Sequence, residues 1–64
     1  MRKFQDLTEG DLFIIYKQLF EEGMLLYVKC FPMTRHNKEI NALSVFTADT
    51  AYIDEDVPVV KVFK

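Results

Sequence analysis

The chain has 64 residues, half of them hydrophobic, six Phe and three Tyr, and a formal net charge of −2. That length allows one domain, spanning residues 1–64, and its single cysteine rules out an internal disulfide. An acidic balance argues against sequence-independent binding to nucleic acid, which needs a net basic footprint, but leaves room for a local basic patch.

A domain this short buries only about 60% of the surface its unfolded chain exposes. Nearly every large apolar residue is therefore needed for the core, or a second copy supplies the remainder. The start Met1-Arg2-Lys3 runs into Phe4-Gln5-Asp6-Leu7-Thr8-Glu9 and not into an apolar stretch, so no secretory signal is read. No apolar run approaches the ~20 residues that span a bilayer. With a lone thiol, these features point to a soluble protein of a reducing cytoplasm.

Along the chain, Gly10 and Gly23 bracket the first apolar run, Leu12 to Phe20. Two readings compete for it. As a helix it places Leu12, Ile15, Tyr16, Leu19 and Phe20 on one face, with Gly23 as C-cap. As a strand it uses the β-branched and aromatic density of Phe13 to Tyr16, with Glu21-Glu22-Gly23 as a three-residue hairpin loop. The strand reading is preferred.

Met24 to Phe31 reads as a strand that is apolar on both faces, hence central. Pro32 to Glu39 reads as a polar loop. Ile40 to Phe46 is a strand, Thr47 to Thr50 a turn, Ala51 to Ile53 a short strand, and Asp54-Glu55-Asp56 an acidic turn. Val57 to Phe63 closes the fold, with Pro58 placing the start of that strand on an edge. The expected class is mainly β: a small, five-stranded, partly open barrel of the SH3-like kind. The alternative is α+β, with one helix at about 10–22 packed on a three- or four-stranded antiparallel sheet.

The pattern Phe4-x-Asp6-Leu7-x-x-Gly10-Asp11-x-Phe13 resembles the opening of small bacteriophage and prophage proteins of β-barrel type. Leu26-Tyr27-Val28-Lys29, Asn41-Ala42 and Ile53-Asp54-Glu55-Asp56-Val57 match its later pieces. Each motif also has a structural explanation: Phe4 and Leu7 can plug the open end of a barrel, and Gly10-Asp11 is turn chemistry leading into a strand. The resemblance supports the β-hairpin reading of the first run. It carries no agreed activity. Two departures stand out: a longer, more apolar first hairpin and a more basic segment from Pro32 to Glu39.

The candidate binding surface is basic and aromatic: Lys17, Tyr27, Lys29, Phe31, Arg35, His36 and Lys38. Aromatic faces stack on bases and cations follow phosphates, so this set defines a nucleic-acid alternative. Against it stands the ordinary reading of a solvated loop beside core aromatics. Asp49, Asp54, Glu55 and Asp56 lack the ligand order and central glycine of a calcium loop, and serve as solvated turns or as a surface for a basic partner. Cys30 in mid-strand is expected to be a buried, inert hydrophobe, and pairing it with His36 for catalysis is the weakest option. No cofactor, no metal and no enzymatic activity are expected.

Phe20, Met24, Phe31, Met33, Phe46 and Phe63 fall at strand ends or loop edges, more apolar surface than a small sheet covers. Such patches mark protein–protein contacts. The leading expectation is therefore a small, non-enzymatic protein-binding module. It would be a phage-type accessory protein acting on a host or viral protein, in the host cytoplasm. A homodimer through edge strands or the apolar patch is a further option.

Overall fold

A computed structural model describes residues 1–62. The chain is mainly β and contains no α-helix among these residues. The strands are β1 (Arg2–Lys3), β2 (Leu12–Ile15), β3 (Tyr27–Arg35), β4 (Lys38–Ser44), β5 (Thr50–Ala51) and β6 (Pro58–Val62). Two 3-10 turns, Phe4–Asp6 and Tyr16–Phe20, interrupt them. All strands pair antiparallel in one sheet of order β1-β6-β2-β3-β4-β5. There are thus six strands where five were expected, and the sheet does not close into a barrel.

The ambiguous first run is divided between its two readings. Leu12–Ile15 is a strand, held by β3 on one side and β6 on the other. Leu12 and Phe13 lie between the two ladders, and the β-branched pair Ile14-Ile15 continues the ladder with β6. Tyr16–Phe20 then winds into a short 3-10 turn, so the helix expected at about 10–22 survives only as these five residues.

A hairpin closed by Glu21-Glu22-Gly23 would set Phe20 opposite Met24 and Phe13 opposite Phe31. The observed register sets Phe13 opposite Tyr27. A four-residue slip keeps each side chain on its face. It brings the Phe13 and Tyr27 rings into a stack at 5.5 Å, while Phe4 meets Phe13 edge-on at 5.4 Å. Gly23 does adopt the left-handed conformation, at φ +80°.

These rings form the core with Leu7, Ala42, Ile53 and Val59. Phe4 and Leu7 are buried as expected of plugging residues. β3 is central, flanked by β2 and β4. β6 is internal, not an edge, because β1 pairs with it. Pro58 nevertheless lies one residue beyond the β2 register, which ends at Ile15 opposite Val59. Phe63, expected in this strand and among the exposed apolar residues, lies outside the described residues.

The largest correction concerns Pro32 to Glu39, expected as a loop. It forms the distal half of a β3–β4 ribbon, with Met33 opposite Ile40, Thr34 opposite Glu39 and Arg35 opposite Lys38. His36 and Asn37 make the two-residue turn, both at positive φ (51° and 64°). Two positive values are what a type I′ hairpin turn requires, and His and Asn tolerate them better than most residues. The expected strand Ile40–Phe46 is shifted accordingly to Lys38–Ser44, and Ala51–Ile53 contracts to Thr50–Ala51.

Candidate functional site

The motif residues of the first eleven positions are committed to structure. Asp6 Oδ2 accepts from the Lys3 N–H at 2.9 Å, and Asp11 Oδ2 accepts from the Thr8 N–H at 2.8 Å. Gly10, at φ +94°, donates to the Lys29 carbonyl at 2.8 Å, and Lys29 N–H donates back to Asp11 O at 3.0 Å. The Phe4 and Gln5 N–H groups donate to Val57 O and Glu55 O, so the acidic turn is tied to the first 3-10 turn.

Lys29 is part of the same device. Its Nζ donates to Phe4 O at 3.1 Å and Leu7 O at 2.8 Å, and lies 4.4 Å from the Phe4 ring centroid. The cation caps the Leu7 carbonyl, shares the Phe4 carbonyl with the Leu7 N–H, and sits on an aromatic face, so it is turned into the protein. Asn41 performs a matching task. Its side chain donates to Ile53 O and accepts from Ile53 N–H, both at 2.8 Å, replacing a strand partner for that residue.

Tyr27 is buried in the core against Phe13 and presents no stacking face to solvent. Of the proposed basic and aromatic set, Phe31, Arg35, His36 and Lys38 are exposed on the ribbon, and Lys17 is exposed on the second 3-10 turn. Lys17 lines a different cleft, described below, so the seven residues do not form one surface.

Between Lys29 and Met33 the β3 strand advances four positions while β4 moves two, from Ala42 to Ile40. Cys30, Phe31 and Pro32 stand against Asn41 alone, an excess of two residues that makes a bulge. Pro32 has no N–H for a ladder, and a bulge does not require one. The bulge turns Phe31 out to 68% exposure and leaves Cys30 half-buried, where a fully buried thiol was expected. Cys30 lines a groove of about 390 Å³ beneath the ribbon, together with Glu9, Glu39, Tyr52 and Glu55.

The second concave feature is a cleft of about 520 Å³ formed by Ile15, Tyr16, Lys17, Phe20, Val57 and Pro58. Tyr16 and Phe20 meet edge-on at 5.9 Å along its wall, and Phe20 is 81% exposed. Leu19 and Met24 extend the apolar surface. The 3-10 geometry causes this. Three residues per turn cannot place Tyr16, Leu19 and Phe20 on one inward stripe as an α-helix would. Phe20, Met24, Phe31, Met33 and Phe46 are all exposed, as their positions at strand ends foretold. The cleft itself needed Val57 and Pro58 from the far end of the chain, and only the contrast of apolar content with core size hinted at it.

Asp11 is the one group whose titration is clearly displaced among the described residues. The Thr8 N–H bond to its carboxylate, aided by Lys61 at 3.7 Å, holds its pKa below the ordinary aspartate value, although partial desolvation opposes this.

In comparisons with known proteins, the chain matches no family model, no curated protein and no solved structure. No described helix is long and apolar enough to cross a membrane.

Proposed function

We propose that this domain is a protein-binding module that engages its partner through the apolar cleft of the second 3-10 turn. The observation that carries the reading is the cleft between Tyr16, Phe20, Val57 and Pro58, left open while Phe20 stands 81% exposed. Large aromatic anchors around a preformed concavity are what binding hot spots use. The outermost strands, β1 and β5, have two residues each, which makes them poor templates for edge pairing. A partner therefore gains more from the cleft than from the sheet edge. The resemblance to phage proteins makes a host or viral protein the partner class.

The test is a matched pair of baits, the natural chain and a Tyr16→Ser/Phe20→Ser variant. The variant should melt somewhat lower than the natural chain but still cooperatively, since Phe20 is 81% exposed and Tyr16 only 37%. A stoichiometric partner retained by the natural chain and lost by the variant, with binding reproduced from purified components, supports the reading. Equal retention by both baits, or no partner with a monomeric sedimentation profile, overturns it. Concentration-dependent dimerisation abolished by the same substitutions would make the partner a second copy.

A further inference from the structure

The distal β3–β4 ribbon has a different character from the rest of the molecule. From Met33 to Ile40 its two strands pair only with each other, because β2 reaches β3 only at Tyr27 and Val28 and β5 reaches β4 only at Ala42 and Leu43. Every residue from Phe31 to Glu39 is exposed. The result is a slender two-stranded arm with a tight His36-Asn37 tip.

The charge is segregated on this arm. Arg35 and Lys38 stand directly opposite each other beside the turn, with no acidic residue between them. Like charges in a cross-strand pair destabilise a hairpin, so the arrangement opposes the arm's own stability. Neither cation makes an ion pair among the described residues. Setting these two and the arm's own Glu39 aside leaves six Lys and Arg against nine Asp and Glu in the remainder of the chain. An arm of net charge +1, basic at its tip, thus projects from a body of net charge −3. Beneath the arm, Glu9, Glu39 and Glu55 line the groove beside Lys29, whose amine is held by the Phe4 and Leu7 carbonyls, which leaves the tip as the anion-facing end.

We infer that this ribbon is a binding arm for duplex nucleic acid, entering the major groove tip first with Arg35 and Lys38 on flanking phosphates. The major groove, about 12 Å wide, admits a two-stranded β-ribbon. Arg35 supplies a fork of donors suited to phosphate, Lys38 a point charge, and His36 and Asn37 lead at the tip with polar groups facing the base edges. The acidic body stands back from the phosphates at the other end of the ribbon. This site is independent of the apolar cleft and stands or falls without it.

The test is fluorescence anisotropy with a labelled duplex oligonucleotide and with a single strand of the same length, across a salt series. The expected result is duplex binding at low salt, with a log affinity against log salt slope of about −2 for two phosphate contacts. Arg35→Ala/Lys38→Ala should weaken it about tenfold or more at low salt and flatten the slope toward zero. Phe31→Ala should leave duplex binding unchanged. Circular dichroism melts of the variants confirm that the fold is intact. Four outcomes overturn the inference: no duplex binding at low salt, no effect of the double substitution, preference for the single strand with loss on Phe31→Ala, or equal displacement of the duplex by polyglutamate. The last would make the tip a reader of acidic polypeptide.

Discussion

The first eleven residues and the β3–β4 ribbon make opposite use of the same residue types. Near the N-terminus, Asp6 and Asp11, together with Lys29 reaching over from the proximal end of β3, look like chemistry but are spent on backbone groups within the fold. On the ribbon, Arg35, His36 and Lys38 are similar in kind yet satisfy nothing internal. The aromatic residues divide the same way: Phe4, Phe13 and Tyr27 fill the core, whereas Phe20, Phe31 and Phe46 face solvent. A polar or aromatic residue in a chain this small is informative only after its internal partners are known. What remains unpartnered is the surface left for recognition.

That contrast predicts a graded response to substitution. Phe13, fully buried between Phe4 and Tyr27, should be the most sensitive position. Phe13→Ala removes a ring from the centre of the core and is expected to cost about 3–5 kcal/mol. A small domain has on the order of 5 kcal/mol in total, so the variant should retain no more than about 2 kcal/mol and unfold at very low urea. A cooperative unfolding transition close to that of the natural chain would remove the aromatic column from its central role.

Asn41→Ala comes next. It strips both bonds from the buried Ile53 backbone and leaves a donor and an acceptor unsatisfied, which should cost about 2–3 kcal/mol. Chemical denaturation measures this directly. Hydrogen exchange should show the Ile53 amide losing protection first, and retained protection there would assign the stability to something other than this clamp.

The smallest effect is expected at Asp11, and it depends on pH. Its folded pKa is depressed by the Thr8 N–H and by Lys61. The ionised carboxylate therefore stabilises the fold above the ordinary aspartate value and loses that contribution as pH falls through the lower folded value. Asp11→Asn should lower stability slightly near neutrality, where the charged carboxylate contributes, and converge with the natural chain below about pH 4, which flattens the acid limb. An unchanged acid limb would show that the carboxylate charge is not felt in the folded state. The paired Tyr16 and Phe20 substitutions proposed above should cost less than Phe13→Ala, since Phe20 is 81% and Tyr16 37% exposed where Phe13 is fully buried.

Much of the architecture was legible from local pattern. Short apolar runs separated by turn residues specify strands, and the run from Met24 to Phe31, apolar on both faces for most of its length, indicated a central strand, which the structure places at Tyr27–Arg35. Pro32 to Glu39 was not legible as a ribbon. Its residues are polar, His-Asn is a weaker turn signal than Asn-Gly, and Pro32 reads as a strand breaker until a bulge accommodates it. Lys29 was equally opaque. Nothing near it in the chain shows that its amine will meet the carbonyls of Phe4 and Leu7.

The sequence by itself determined the class, the inward placement of Phe4 and Leu7, and the surplus of apolar side chains. Those follow from composition, alternation and chain length, which act locally or in bulk. Only the tertiary structure decided the register that stacks Tyr27 on Phe13, the inward turn of Lys29, the cleft between Tyr16 and Pro58, and the isolated basic tip at Arg35 and Lys38. Each depends on which distant backbone groups and side chains meet, and the linear pattern does not encode that meeting until the chain has closed its sheet.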